Sequence, residues 1–240
     1  VTVTHRTDLA TLGLIGPKSD AILHGMLGTM PAQRYYTSST HRLGDDTLRI
    51  NRLSYIGEHG YELVIQKDRL PALYDALRAS GEDHGLRLAG FFAMNACRME
   101  KGYRHWGDDL HDHITPWAAG LGFCVDLGKP DFLGRAALQR SQGKQTVRLV
   151  NVRVDDPHAP RLIHDEPLFF EGRRVGLTTS AAWGHRLNAN LAIASLVHHE
   201  GVTKRWLAQP GFTIEIAGER FPVTLKLTPF YDPRGERTKR

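Results

Sequence analysis

From Thr146 onward the sequence is strand after strand, and this restricts the fold more than any other feature. "VRLVNVRV" (147–154) alternates apolar and polar residues except at Leu149-Val150, close to the period of a pleated strand. "PLFFEGRRVGLTTSAAW" reads as two strands joined at Glu171-Gly172, and "NANLAIASLV", "FTIEI" and "ERFPVTLKL" follow. Short strands at this spacing, divided by turn residues, suit a small antiparallel barrel or sandwich.

The first half mixes helices with strands. "TLGLIG" (11–16) reads as a strand. A helix follows over "PKSDAILHGML", with Pro17 at the first helical position, where its missing N–H costs nothing. Ala21, Ile22, Leu23, Met26 and Leu27 form its apolar face. "LRINRLSY" (48–55) and "YELVI" (61–65) are the strands of a tight hairpin around Gly57-Glu58-His59-Gly60. "DRLPALYDALRASG" (68–81) is an amphipathic helix with Asp68 as cap and Gly81 as stop. Its buried stripe is Leu70, Leu73, Tyr74 and Leu77. "FFAMNACRMEKG" (91–102) is a third helix, and "KPDFLGRAALQRSQGKQ" a short helix with a linker. The expected organisation is an α+β domain over 1–130, a linker helix over 131–145 and a β-barrel domain over 146–240.

A chain of 240 residues, 41% apolar and 24% charged, is long enough for a real core and is globular in composition. No apolar run approaches the roughly 18 residues of a membrane span, so no membrane partner is expected. The start, "VTVTHRTDLATLG", lacks the basic and apolar regions of a signal peptide. It also lacks an initiator Met, so a fragment or trimmed product is expected. Cys97 and Cys124 have neither disulfide-scaffold nor metal-ligand spacing. Reduced thiols fit a cytoplasmic location. The net charge of +5, concentrated in the tail "DPRGERTKR", suits anionic ligands such as phosphates, polyglutamates or nucleic acid, and equally a solvated basic surface. The barrel strands lack clustered Lys and Arg interleaved with aromatics, so no nucleic-acid partner is expected.

Glu62 is the residue that breaks its pattern. In "YELVI" the period of two puts Tyr61, Leu63 and Ile65 on one face and Glu62 with Val64 on the other. If that second face is solvent, Glu62 is ordinary. If it lines a cavity, the carboxylate needs strong donors, and a planar ligand with two adjacent N–H groups supplies them. Arg98 sits among apolar and small helix neighbours, and either snorkels to water or pairs with something specific. Glu100, two residues on, points elsewhere. Tyr55, Tyr61, Tyr103 and Trp106 are either core packing or a stacking wall for a flat heterocycle. The loop "HWGDDLHDHITP" is rich in His and Asp, but His111 and His113 do not share a helical face, and no metal site is expected. No phosphate-cradling glycine motif, dinucleotide fingerprint or nucleophile elbow occurs.

The chain resembles the folate-binding aminomethyltransferase family, the glycine cleavage T-protein and its relatives. The resemblance rests on "LGLIGPKSDAIL", "RLSYIGEHGYEL", "ACRMEKGYRHWGDDL", "TPWAAGLGFCVDL", "FLGRAAL", "VGLTTSAAWG" and "PFYDPRGER", in that order along nearly the whole chain. "EKGYRHWGDDL" and "YDPRGER" are most similar to the C-terminal modules of dimethylglycine and sarcosine dehydrogenases, where a flavin domain precedes the folate module. The resemblance implies an α+β folate-binding domain followed by a small antiparallel β-barrel domain, with tetrahydrofolate as cofactor. It implies that Glu62 binds the amino-pyrimidine edge of the pterin, that Tyr55 lies beside the folate, that Arg98 is near the ligand, and that Trp106 fills an aromatic position. It further implies one-carbon (aminomethyl) transfer from a small amine-derived donor, with a flavin-containing domain or subunit as a possible partner. The family's catalytic aspartate belongs to a segment upstream of the residues present here. "GDDTLRI" (44–50) is in the wrong order to replace it, so no catalytic residue is assigned and the isolated chain is expected to be inactive. The alternative is a non-catalytic folate-binding or scaffold subunit that completes its site with a partner chain.

Overall fold

The structure, a computed structural model, describes residues 2–29 and 33–239. The chain divides into two compact units, Val1–Phe91 with Arg234–Arg240, and Phe92–Pro233.

The first unit is built on strand β1 (Leu9–Ile15), helix α1 (Ser19–Leu27), strands β2 (Thr37–Leu43), β3 (Asp46–Arg52) and β4 (Gly60–Gln66), and helix α2 (Leu70–Gly81). The strands form one sheet in the order β1-β4-β3-β2. All three pairings are antiparallel. Leu14, Leu48, Ile50, Tyr61, Leu63 and Ile65 alternate onto one face and are buried with Ile22 and Leu23 of α1 and Leu73 and Leu77 of α2. Burying each large aliphatic side chain contributes about 1.5–3 kcal/mol, so the two helices are held by this one face of the sheet.

Local details depart from the sequence reading in instructive ways. The helix after β1 begins at Ser19, not Pro17. The Ser19 hydroxyl instead donates to the carbonyls of Gly16 and Leu14 and fastens the turn to the strand. The β3–β4 connection is no tight hairpin turn, because β3 ends at Arg52 and residues 53–59 form a loop. A short 3-10 turn over Lys67–Arg69 precedes α2, so Asp68 is not its cap. Gly81 stays inside α2, where a Cβ would lie 2.5 Å from the Leu86 side chain. Its role is close packing rather than stopping the helix. Tyr74 is on the exposed side of the stripe.

The second unit holds α3 (Phe91–Glu100, apart from its first residue), α4 (Arg135–Ser141), strands β5 (Val147–Val154), β6 (Pro167–Phe170), β7 (Arg173–Gly184) and β8 (Ala189–Val197), helix α5 (Lys204–Leu207), and strands β9 (Phe212–Ile216) and β10 (Glu219–Lys226). The strands close into an antiparallel barrel in the order β10-β5-β8-β7-β6-β9. Closure removes the exposed edges of an open sheet. Val150, Val152, Val154, Ala192, Ala194, Leu196, Phe212 and Ile214 belong to the barrel's core, with Trp206 of α5 packed among them. The other face of β5 and β8 is also covered: Leu149, Leu191 and Ile193 pack with Met99 of α3 and Ala119. Burial on both faces explains why β8, "ANLAIASLV", is nearly all apolar while most neighbours alternate.

Among the described residues no helix is long and apolar enough to cross a membrane.

Candidate functional site

Glu62 lies on β4, the strand between β1 and β3. Gly13 is opposite it on β1 and Asn51 opposite it on β3. Directly paired residues share a face, so the carboxylate stands on the side away from the helices, beside a position with no side chain. A Cβ built on Gly13 would meet nothing nearer than 3.8 Å. Asn51 is engaged on its far side, where its Oδ1 accepts from Ser38 Oγ at 2.8 Å. Glu62 is half-buried and its side chain makes no hydrogen bond or ion pair among the described residues. Burial raises its pKa above the ordinary carboxylate value. Its oxygens are not among the sealed side-chain atoms and face the open space beside Gly13, where water or a ligand with N–H donors can reach them.

The loop that carries Tyr55 is fixed by a network that runs from the buried Arg52 out to the exposed Asp20. Arg52, 2% exposed, donates to Gly60 O at 3.2 Å and to His59 Nδ1 at 2.6 Å. Arginine has no acceptor, so His59 Nδ1 accepts and the ring proton sits on Nε2. That Nε2–H donates to Asp20 Oδ1 at 2.6 Å, the same oxygen that accepts from the Tyr61 hydroxyl at 2.7 Å. Burial pushes the Asp20 carboxyl up, but the bonds from Tyr61 and His59 and the nearby charge of Arg52 outweigh it, and its pKa ends below the ordinary value. Burial and the bond to Asp20 push the Tyr61 phenol up. The loop backbone is tied to the end of β1 as well, Gly16 N donating to His59 O at 2.7 Å. Tyr55 is half-buried within this loop.

Arg98 and Trp106 belong to the second unit. Arg98 is 2% exposed. Its Nε donates to Asn95 Oδ1 at 2.8 Å, and its Nη1 to Tyr103 O at 3.1 Å, Ser180 Oγ at 3.1 Å and Asp109 Oδ2 at 2.9 Å. Asp109 is fully buried. It also accepts from Ser180 Oγ at 2.8 Å, from Thr179 Oγ1 and from the His105 backbone N–H at 2.8 Å. The arginine therefore does not reach water; it pairs with a specific carboxylate and joins α3 to strand β7. Glu100 does point elsewhere, accepting from Arg186 N and Nη1, each at 2.6 Å. Trp106 follows His105 directly and is 78% exposed.

Of the four residues expected at the site, Tyr55 and Glu62 thus share the first unit, and Arg98 and Trp106 are linked through the Asp109 loop of the second. Asp109 escaped the sequence reading because "HWGDDLHDHITP" gives no hint which of its acids turns inward. Asp20 and His59 are 39 positions apart, and only the fold joins them. Among the described residues no three His, Cys, Asp or Glu side chains gather as a metal site.

Comparison with known proteins agrees with this architecture. The GCVT N-terminal domain family matches residues 1–129, and the glycine cleavage T-protein C-terminal barrel domain family matches residues 148–232. The chain is 36% identical over 236 residues to 4-methylaminobutanoate oxidase (formaldehyde-forming) of Paenarthrobacter nicotinovorans, covering 96% of this chain and 28% of that protein. It is 34% identical over 229 residues to an aminomethyltransferase of Saccharopolyspora erythraea, covering 93% of this chain and 60% of the relative. Against mitochondrial sarcosine dehydrogenase of Homo sapiens the identity is 33% over 240 residues, with 97% and 26% covered. The fold matches that of the glycine cleavage system aminomethyltransferase T from Bartonella henselae with a TM-score of 0.77 at 23% identity, over 94% of this chain and 60% of that one. The chain thus spans about 60% of the aminomethyltransferases and about a quarter of the longer oxidase and dehydrogenase. With the N-terminal family matched over more than half of its length and the barrel family following in order, the chain belongs to the glycine cleavage T-protein, or aminomethyltransferase, family.

Proposed function

We propose that this chain is a tetrahydrofolate-dependent one-carbon transfer module, working within an aminomethyltransferase or within a larger amine-oxidising enzyme of the sarcosine or dimethylglycine dehydrogenase kind. The observation that carries the reading is Glu62: a half-buried carboxylate with a raised pKa, no donor of its own, and open space beside Gly13. Two parallel N–H groups on a flat heterocycle, as on the amino-pyrimidine edge of a pterin, satisfy such a group well. When bound, tetrahydrofolate would supply the nucleophilic nitrogen that accepts the one-carbon unit.

The chain's own residues then have distinct tasks. Glu62 orients the ligand, and Tyr55 packs beside it from a loop locked by Arg52, His59 and Asp20. Arg98 acts through Asp109, holding the loop that presents Trp106. Such positioning is the larger part of what a transfer module must provide. The donor is a small amine-derived one-carbon compound, and a flavin-bearing domain or subunit is the partner that would generate it. Two free cysteines suit a reducing compartment such as the cytoplasm. Calorimetric titration with tetrahydrofolate tests the reading. Saturable binding that Glu62→Ala weakens by about tenfold or more is expected, and equal binding by the variant would remove Glu62 from the site.

A further inference from the structure

The second unit carries a separate cleft of about 220 Å³, lined by Trp117, Gly120, Gly122, Gly143, Gln145 and Arg148. Its walls are braced. Leu149 N donates to Ala118 O at 2.8 Å and Val202 N to Gln145 O at 2.8 Å, which bind both sides of the cleft to the barrel. Trp117 Nε1 donates to Leu138 O at 3.0 Å and fixes the indole. Gly122 lets that ring lie against the backbone, since a Cβ there would be 2.8 Å from the indole.

Arg148 is the anomaly in this wall. Its Nε is fully buried and has no hydrogen-bond partner, and its side chain makes no ion pair among the described residues. Three buried side-chain N or O atoms among the described residues lack a partner; this one alone is on a charged group. A guanidinium offers five donors and no acceptor; the Nε–H is sealed, but the terminal Nη groups are accessible and have no partner among the described residues, so an acceptor that enters the cleft meets them. The surroundings add positive charge rather than cancel it. Burial lowers the pKa of neighbouring Arg104, and the charges of Arg98 and Arg148 lower it further against the pull of Asp109. Arg140 and Lys144, exposed and without an ion pair among the described residues, lie in the segment leading into the cleft.

We propose that this cleft binds a small oxyanion, a carboxylate or a phosphate, with Arg148 as the recognising fork and Trp117 as the wall. A fork matches two oxygens on one centre. The volume is below the range of drug-sized ligand pockets, so the occupant is a small molecule or a terminal group. The inference stands apart from the folate reading, because the cleft is lined by none of the residues assigned to the folate.

The test is a titration of the chain with sodium glutarate and, separately, with inorganic phosphate, at constant ionic strength set by chloride. Nitrogen–proton correlation spectra report the Arg148 Nε–H and Trp117 Nε1–H signals, assigned from Arg148→Ala and Trp117→Phe. Saturable shifts of both signals with one anion are expected, and which anion saturates first separates carboxylate from phosphate. Arg148→Ala should weaken binding by about tenfold or more. Should that variant fail to fold, Arg148→Lys keeps the charge without the fork and should also bind more weakly. No saturable shift with either anion, or unchanged binding by the variants, overturns the proposal.

Discussion

Two acidic residues, Glu62 and Asp109, show opposite uses of a carboxylate. Asp109 is wholly buried and accepts from Arg98, Thr179, Ser180 and the His105 backbone. Glu62 is half-buried and accepts from nothing among the described residues. Asp109 is satisfied by protein groups and Glu62 is not. A satisfied buried network fixes structure, whereas a partly exposed carboxylate without protein donors is open to water or to a ligand that brings N–H groups. The contrast predicts that the two carboxylates separate cleanly into stability and binding.

The largest effect should come from breaking the complete network. Asp109→Ala strands the Arg98 guanidinium in a dry interior and should cost about 3–5 kcal/mol, read as a large fall in the denaturant midpoint. Removing Glu62 should cost little, because no partner is left behind. A comparable loss for both would erase the contrast.

Next in size is Gly60→Ala. A Cβ there would lie 2.5 Å from Leu14 O and 2.7 Å from Ile15 Cα, so strand β4 must shift against β1 at a cost of about 1–3 kcal/mol. Chemical denaturation of this variant measures it. Because Gly60 opens the strand that carries Glu62, tetrahydrofolate binding should fall as well.

Gly13→Val sharpens the comparison from the other side. The position is an exposed strand site with room for a branched side chain, so stability should change by about 1 kcal/mol or less. The new side chain would stand beside Glu62 and should weaken tetrahydrofolate binding by more than about tenfold, the loss of a hydrogen-bonded charge. Thermal melting and titration of the same sample separate the two effects.

The smallest stability effect belongs to Glu62→Gln. A carboxyl whose folded pKa is raised contributes stability that is full below its unfolded pKa and lost as pH rises through the folded value. Glu62 is raised by burial, so at neutral pH its charge disfavours the folded state. The glutamine variant should be equally or slightly more stable there, and its advantage should vanish as pH falls through the ordinary carboxylate range. Asp20 behaves oppositely. Its lowered pKa contributes stability that is lost as pH falls through that lower value.

How much of this was legible in the sequence follows from the range of each interaction. The barrel strands were readable because alternation and turn residues are local signals, as in "VRLVNVRV" and the Glu171-Gly172 turn. Strand β2 went unread: "TSSTHRL" is polar, lies at the sheet edge and exposes most of its residues, so its strand form depends on pairing with β3. Glu62 was conspicuous because a charge interrupts an apolar run. Arg98 was conspicuous for the same reason, but its partner was hidden among several loop acids. The Arg52–His59–Asp20 lock left no trace, since an acid at a helix start and a histidine in a loop are ordinary alone. Arg148 looked like the polar half of an alternating strand, and only the fold shows that its Nε is buried without an acceptor.

The central claim is that Glu62 is kept unpaired for a ligand. Its most direct test is titration of wild type and Glu62→Gln with tetrahydrofolate at neutral pH, with the thermal stability of both ligand-free proteins measured alongside. The account predicts that the variant melts at or slightly above the wild-type temperature and binds at least about tenfold more weakly. Equal affinity, or a glutamine variant markedly less stable than wild type, would contradict it.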